Sequence, residues 1–175
     1  MVKRYCGIGS RKTAPNLLLI MEQIGEDLAK LGYILHSGGA EGADQAFEVG
    51  CDKVNGPKQV FLPWKGFNSH TSPLYDIPEE AFYIAEEQHP AWNLCSQGAK
   101  KLHARNIQQI LGLDLQTPVD FVICNTEGGE LVGGTATAVS LANSLGIPVL
   151  NLGERNAMLT YQDRLKELTL AKEEV

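Results

Sequence analysis

The 175-residue chain is short of the features that mark secreted, metal-clamped and membrane-spanning proteins. Its four cysteines, Cys6, Cys51, Cys95 and Cys124, are widely separated and form no C-x-x-C pair, so their spacing indicates neither a disulfide framework nor a zinc site. His70, His89 and His103 also lack metal-ligand spacing among themselves, and no metal is expected. No segment approaches the roughly 20 apolar residues needed to cross a bilayer. "MVKRYCGIGS" at the start has no long apolar stretch of the secretory kind, so the expectation is a cytoplasmic protein with no membrane partner. Excess positive charge is absent too: 15 Lys and Arg stand against 21 Asp and Glu, a net charge of -6. Broad nucleic-acid binding is driven by cationic neutralisation of phosphates, so single-stranded DNA is disfavoured as a partner unless local patches hold it. Two such patches exist, Lys3, Arg4, Arg11 and Lys12 near the start and Lys100, Lys101, His103 and Arg105 further on. No internal repeat or low-complexity tract appears.

What is present is an alternation of short apolar runs with helical periods. "RYCGIG" reads as a strand, and Leu17, Ile20, Met21, Ile24, Leu28 and Leu31 then recur at three- and four-residue steps, the spacing of an amphipathic helix with Asn16 as its cap and Gly32 as its stop. "YILHSGG" is a second strand, "GADQAFEVGCDKV" a second helix, and "KQVFLPW" a third strand broken by Pro63. Pro73, Pro78 and Pro90 then forbid one long helix, although "PEEAFYIAEEQ" can form a short one. "CSQGAKKLHARNIQQILGLDL" is helical in one or two pieces, "VDFVICNT" is a buried strand, "GGTATAVSLANSLG" a small-residue helix, "IPVLNLG" a last strand, and the chain closes on a helix. Cys6 and Cys124 fall inside apolar strands, where a thiol serves as a small core residue.

Five strands separated by helices require crossover connections, hence a mainly parallel sheet covered on both faces. The expected fold class is α/β, a Rossmann-like doubly wound sheet, as one domain over residues 1–175 with a rim insertion at 65–99. Ligands of such sheets lie beyond the carboxyl ends of the strands, where strand order reverses. Three strands here end in glycine-rich loops, "GIGSR", "SGGAEGAD" and "EGGELVGGT", and the expectation is that all three meet on one rim. Glycine lets backbone N–H groups approach an anion, and the positive end of the next helix adds attraction. A nucleotide-like phosphate ligand is therefore expected, with no further cofactor. Its candidate contacts are Gly9, Ser10, Arg11, Ser37, Gly38, Gly39, Gly42, Asp44, Asn106, Gly133, Gly134 and Thr135. Arg11 or Arg105 would supply a charge-assisted contact. Asp44 reads either as a partner for a ribose hydroxyl or as an acid favoured by a helix N-terminus.

Gly9-Ser10-Arg11, Ser37 to Asp44, Arg105-Asn106 and Gly133 to Ala138 together resemble the Rossmann core of DprA/Smf-type DNA-processing proteins. The wider superfamily also holds the LOG (lysine decarboxylase-like) phosphoribohydrolases. The resemblance spans roughly residues 4 to 64 and 100 to 152. It implies a nucleotide- or nucleic-acid-phosphate-binding protein, in DNA processing or recombination. The alternatives it implies are an enzyme cleaving the N-glycosidic bond of a nucleotide and a non-enzymatic carrier of a nucleotide-derived ligand. "LHARN" is similar to the M-H-x-R-K stretch of the LOG enzymes, but Ala136, Thr137 and Ala138 follow Thr135 where those enzymes carry a glutamate. Glu41, at the rim of the second loop, is the candidate replacement, with Arg105 orienting the phosphate; a turn residue that faces solvent or pairs with Arg105 or Arg11 is the other reading of Glu41. Trp64, after the third strand, is the candidate for stacking on a base. The last helix carries Met158, Leu159, Leu165, Leu168 and Leu170, a stripe suited to covering the sheet or to a homo-oligomer contact.

Overall fold

The computed structural model describes residues 1–126 and 133–173. Five strands form one sheet: β1 (Arg4–Gly9), β2 (Ile34–Ser37), β3 (Lys58–Val60), β4 (Phe121–Asn125) and β5 (Val149–Asn151). Their order is β3-β2-β1-β4-β5, and every pairing is parallel. The chain winds outward from β1 to β3, then returns to β4 on the other side of β1, so the topological switch lies between β1 and β4. The α/β doubly wound architecture expected from the alternation is the one observed.

Side-chain alternation along the central strands builds two separate cores. Tyr5 on β1, Leu35 on β2 and Ile123 on β4 point to one face, where α1 (Pro15–Lys30), α2 (Ala43–Lys53) and α6 (Ala157–Glu173) pack with Met21, Ile24, Leu28, Phe47 and Tyr161. Cys6, Ile8, Val122 and Cys124 point to the other, against α3 (Glu79–Gln88), α4 (Gln97–Leu111) and α5 (Gly133–Ser144). Burial of each such aliphatic side chain contributes about 1.5–3 kcal/mol relative to exposure. α1 and α2 lie very close, because Gly50 presents no Cβ: one placed there would collide with the Glu22 carbonyl on α1.

Local signals explain the element ends, with one correction. Pro15 occupies the first turn of α1 after Ala14, and Asn16 lies inside the helix rather than capping it. Proline suits that position because its missing N–H has no intrahelical partner there in any case. α4 is a single helix, capped by Ser96, whose Oγ accepts from the Ala99 N–H at 3.2 Å. Within 65–99, Ala81 and Ala85 of α3 and Trp92 after it are buried in the core. Phe67 and Ala99 of this segment line the cleft at the carboxyl edge of the sheet, and Ser72 Oγ donates to the Val60 carbonyl at the end of β3 at 2.6 Å. In the last helix Met158, Leu165 and Leu168 pack on the sheet, whereas Leu159 and Leu170 are exposed. No helix among the described residues is long and apolar enough to cross a membrane.

Candidate functional site

A cleft of about 380 Å³ opens at the switch point. The end of β1 supplies Gly9, Ser10, Arg11 and Lys12, the end of β4 supplies Asn125 and Thr126, and the first turn of α5 supplies Gly133, Gly134 and Thr135. α4 completes the wall with His103, Arg105 and Asn106, and Phe67 closes one side. The earlier part of the third glycine-rich loop, residues 127–132, lies outside the described residues.

Each wall is held by its own hydrogen bonds. Ser10 N–H donates to the Asn125 carbonyl at 3.2 Å, joining the two strand ends across the switch. The Ser10 hydroxyl oxygen accepts from Lys12 N–H at 3.0 Å, tightening the first loop. Thr126 is fixed from β5: Asn151 accepts from its N–H at 3.2 Å and donates to its Oγ1 at 2.6 Å. Asn106 Nδ2 donates to the Gly134 carbonyl at 2.8 Å, which anchors α5 to α4 while the first N–H groups of α5 stay free of intrahelical partners.

Arg105 is 4% exposed, yet it lines the cleft. Its Nη1 donates to the carbonyls of Gly38 and Phe61, and its Nε donates to Asn106 Oδ1 at 2.9 Å. Nη2 takes no protein partner among the described residues. The guanidinium also lies over the Phe67 ring, 5.4 Å from its centroid. Asp44, on the first turn of α2, is buried beside it and accepts from Gly38 N–H at 3.1 Å; its Oδ1 has no partner among the described residues. Burial lifts the Asp44 carboxyl to about 6, with Arg105 acting against the rise and Glu48 with it. Burial, helped by His89 and Arg105, holds the His103 imidazole below its ordinary range.

The second loop does something other than expected. Ser37 is fully buried and donates to Glu48 Oε1 at 2.7 Å; Gly39 N–H donates to Ser37 Oγ at 3.3 Å, and the Gly39 carbonyl accepts from Asn68. Both peptide groups of Gly38 are likewise taken, by Asp44 and Arg105. Ser37, Gly38, Gly39 and Gly42 are absent from the cleft lining, and of the residues from 36 to 47 only Ala40 and Asp44 reach it. Gly38 is a crossing point: a Cβ there would meet Asp44 Oδ2 at 2.7 Å, Gln109 Oε1 at 2.7 Å and Arg105 Cζ at 2.8 Å. This loop aligns charged side chains, and the cleft lining comes mainly from the ends of β1 and β4, the first turn of α5 and α4.

Glu41 is exposed and outside the cleft lining. Trp64 is also outside it, 41% exposed and packed edge-on to Phe67 with centroids 5.2 Å apart, so Phe67 presents the aromatic surface to the cleft. Asn125, Thr126, Phe67 and Lys12 were not singled out as contacts in the sequence. The signal for the first two was their position immediately after the strand "FVIC", at the edge where ligands collect.

No family model matches the chain, and no curated protein matches it. Solved structures do. DNA processing protein A from Helicobacter pylori, described for its single-stranded DNA binding mode, has a TM-score of 0.56 at 20% identity, covering 98% of this chain and 81% of that one. The molybdenum cofactor carrier protein of Chlamydomonas reinhardtii gives 0.53 at 19% identity, covering 96% and 88%. A structural-genomics target gives 0.52 at 24% identity, covering 85% and 72%. The chain shares their fold. The likeness covers 85–98% of this chain, and at these identities it speaks for architecture.

Proposed function

We propose that the cleft binds a nucleotide-like anion, with its phosphate between the Ser10–Lys12 turn and the first turn of α5 and its base against Phe67. The observation that carries this reading is the meeting of those two backbone elements on one crevice, with the Arg105 guanidinium in its wall. Free N–H groups at a helix start and a buried cation both favour negative charge. The ligands named for the neighbours, a molybdenum cofactor and single-stranded DNA, differ in kind: one is a small molecule and the other a polymer. The cleft volume of about 380 Å³ and the net charge of -6 favour a small molecule. The protein is then a binder or carrier of a nucleotide-derived compound.

Calorimetric titration with a panel of mononucleotides and a short single-stranded oligonucleotide tests this at two salt concentrations. Saturable mononucleotide binding that weakens modestly with salt is expected, with oligonucleotide binding weaker and steeply salt-dependent. Absence of binding to both at low salt removes the reading.

A second reading rests on Asp44. A carboxyl held at about 6 in the cleft is suited to proton transfer near neutral pH. In that case Asp44, rather than the exposed Glu41, orients water for cleavage of an N-glycosidic bond, and Arg105 holds the phosphate. Release of free base from a nucleotide, lost in Asp44→Asn and retained in Glu41→Gln, is the expected pattern. A panel giving no free base refutes it.

A further inference from the structure

Outside the proposed anion cradle the fold gathers three soft ligands that their spacing did not announce. His89 ends α3, Cys95 follows the short turn Trp92–Leu94, and His103 lies on α4. One ligand atom from each lies within 4.8 Å of the other two. His89 Nε2 is 3.8 Å from Cys95 Sγ, and the two imidazole centroids are 4.4 Å apart. Around a tetrahedral zinc ion, bonds of roughly 2.0–2.3 Å set neighbouring ligand atoms about 3.5 Å apart, so a small contraction closes the three atoms on one ion.

We propose that His89, Cys95 and His103 form a three-ligand site for a single zinc-class ion, with its fourth position open. Thiolate with two imidazoles selects zinc or a similarly soft ion over magnesium or calcium, which require oxygen. An outer partner is already in place. His103 Nδ1 is 2.8 Å from Thr137 Oγ1; in the tautomer that donates this hydrogen bond, the lone pair of Nε2 is left for the metal. Trp92 packs against both imidazoles, with centroids 6.3 Å and 6.4 Å away, and walls the cluster on the core side. Binding is balanced as follows. The ion takes the place of the thiol proton of Cys95, which leaves to solvent. The neutral His89 ring, which now accepts the Ala91 N–H at Nδ1, moves its own proton to Nδ1 and gives up that hydrogen bond so that Nε2 ligates. His103 also lines the cleft, which places the ion beside the bound anion rather than within the cradle.

Cobalt(II) serves as the spectroscopic probe. Titration of the full chain should saturate at one ion and produce a thiolate-to-cobalt charge-transfer band with visible bands of four-coordinate intensity. Zinc added afterwards should abolish both. Cys95→Ser should lose the charge-transfer band, and Thr137→Val should weaken zinc binding by about 10–100-fold, with far-UV circular dichroism confirming the fold. A measurement on the unaltered protein stands beside these: zinc should protect Cys95 from alkylation, and a chelator should restore its reactivity. Cys6, Cys51 and Cys124 are buried, so Cys95 carries the accessible thiol. Absence of the charge-transfer band, an unchanged alkylation rate with zinc, or zinc affinity undiminished in Cys95→Ser overturns the proposal. None of these readouts depends on a nucleotide, so the metal site and the anion site fail independently.

Discussion

Replacing Asp44 by asparagine should remove a defined pH dependence from the stability of the protein. The side chain is 2% exposed, and burial lifts its pKa from 3.8 to about 6 despite the nearby guanidinium of Arg105. A change of that size corresponds to ~3 kcal/mol between the two protonation states. The folded protein holds the Asp44 proton more tightly than the unfolded chain does. Stability is therefore unpenalised below the unfolded pKa of 3.8, declines as pH rises through about 6, and carries the whole penalty at pH 7. His36 acts in the opposite direction, because burial pushes its imidazole from 6.5 down to about 4 and stability is lost as the solution becomes acidic. The quantity to follow is consequently the difference between wild type and Asp44→Asn, in which His36 and the other groups not coupled to Asp44 cancel. Urea unfolding across the acid-to-neutral range should show this difference moving by ~3 kcal/mol in favour of the variant as pH rises. A constant difference across that range would mean that Asp44 titrates as an ordinary carboxyl, and the argument from burial would be refuted.

Other substitutions separate scaffold from site. Gly38→Ala forces a Cβ into Asp44, Gln109 and Arg105, and should cost about 1–3 kcal/mol in denaturant unfolding while also weakening the anion. Arg105→Met strips a donor from the Gly38 and Phe61 carbonyls, an expected loss of about 2–3 kcal/mol, with mononucleotide binding lost in calorimetry even where the fold is retained. Arg11→Ala should leave stability within ~0.5 kcal/mol, because the side chain is exposed, while lowering anion affinity and flattening its salt dependence. Gly50→Ala should lower the melting temperature by pushing α2 off α1, and leave ligand affinity unchanged because neither helix face there reaches the cleft.

The amino-acid sequence alone determined the order of elements, the two-faced parallel sheet and the edge at which the cleft opens. Those follow from local rules: the side-chain period of Tyr5 to Ile8 and of Phe121 to Cys124, helical spacing in Leu17 to Leu31, and glycine where strands end. Gly9, Ser10, Arg11, Gly133, Gly134 and Thr135 were legible as residues of the cleft rim because each sits next to a strand end or helix start, and adjacency in the chain fixes adjacency in space. Other matters were settled only by the tertiary structure. The second loop looks in sequence like another phosphate cradle, but its peptide groups are consumed by Asp44, Arg105 and Ser37, partners as much as 67 residues away. Phe67 rather than Trp64 reaches the cleft because the turn at Gly66 carries the chain over the sheet edge. His89, Cys95 and His103 come together because α3 packs back on α4, bringing the helix end and the following turn beside His103. Glycine composition reports where a backbone can bend, but which group it bends toward depends on the distant partners that folding delivers.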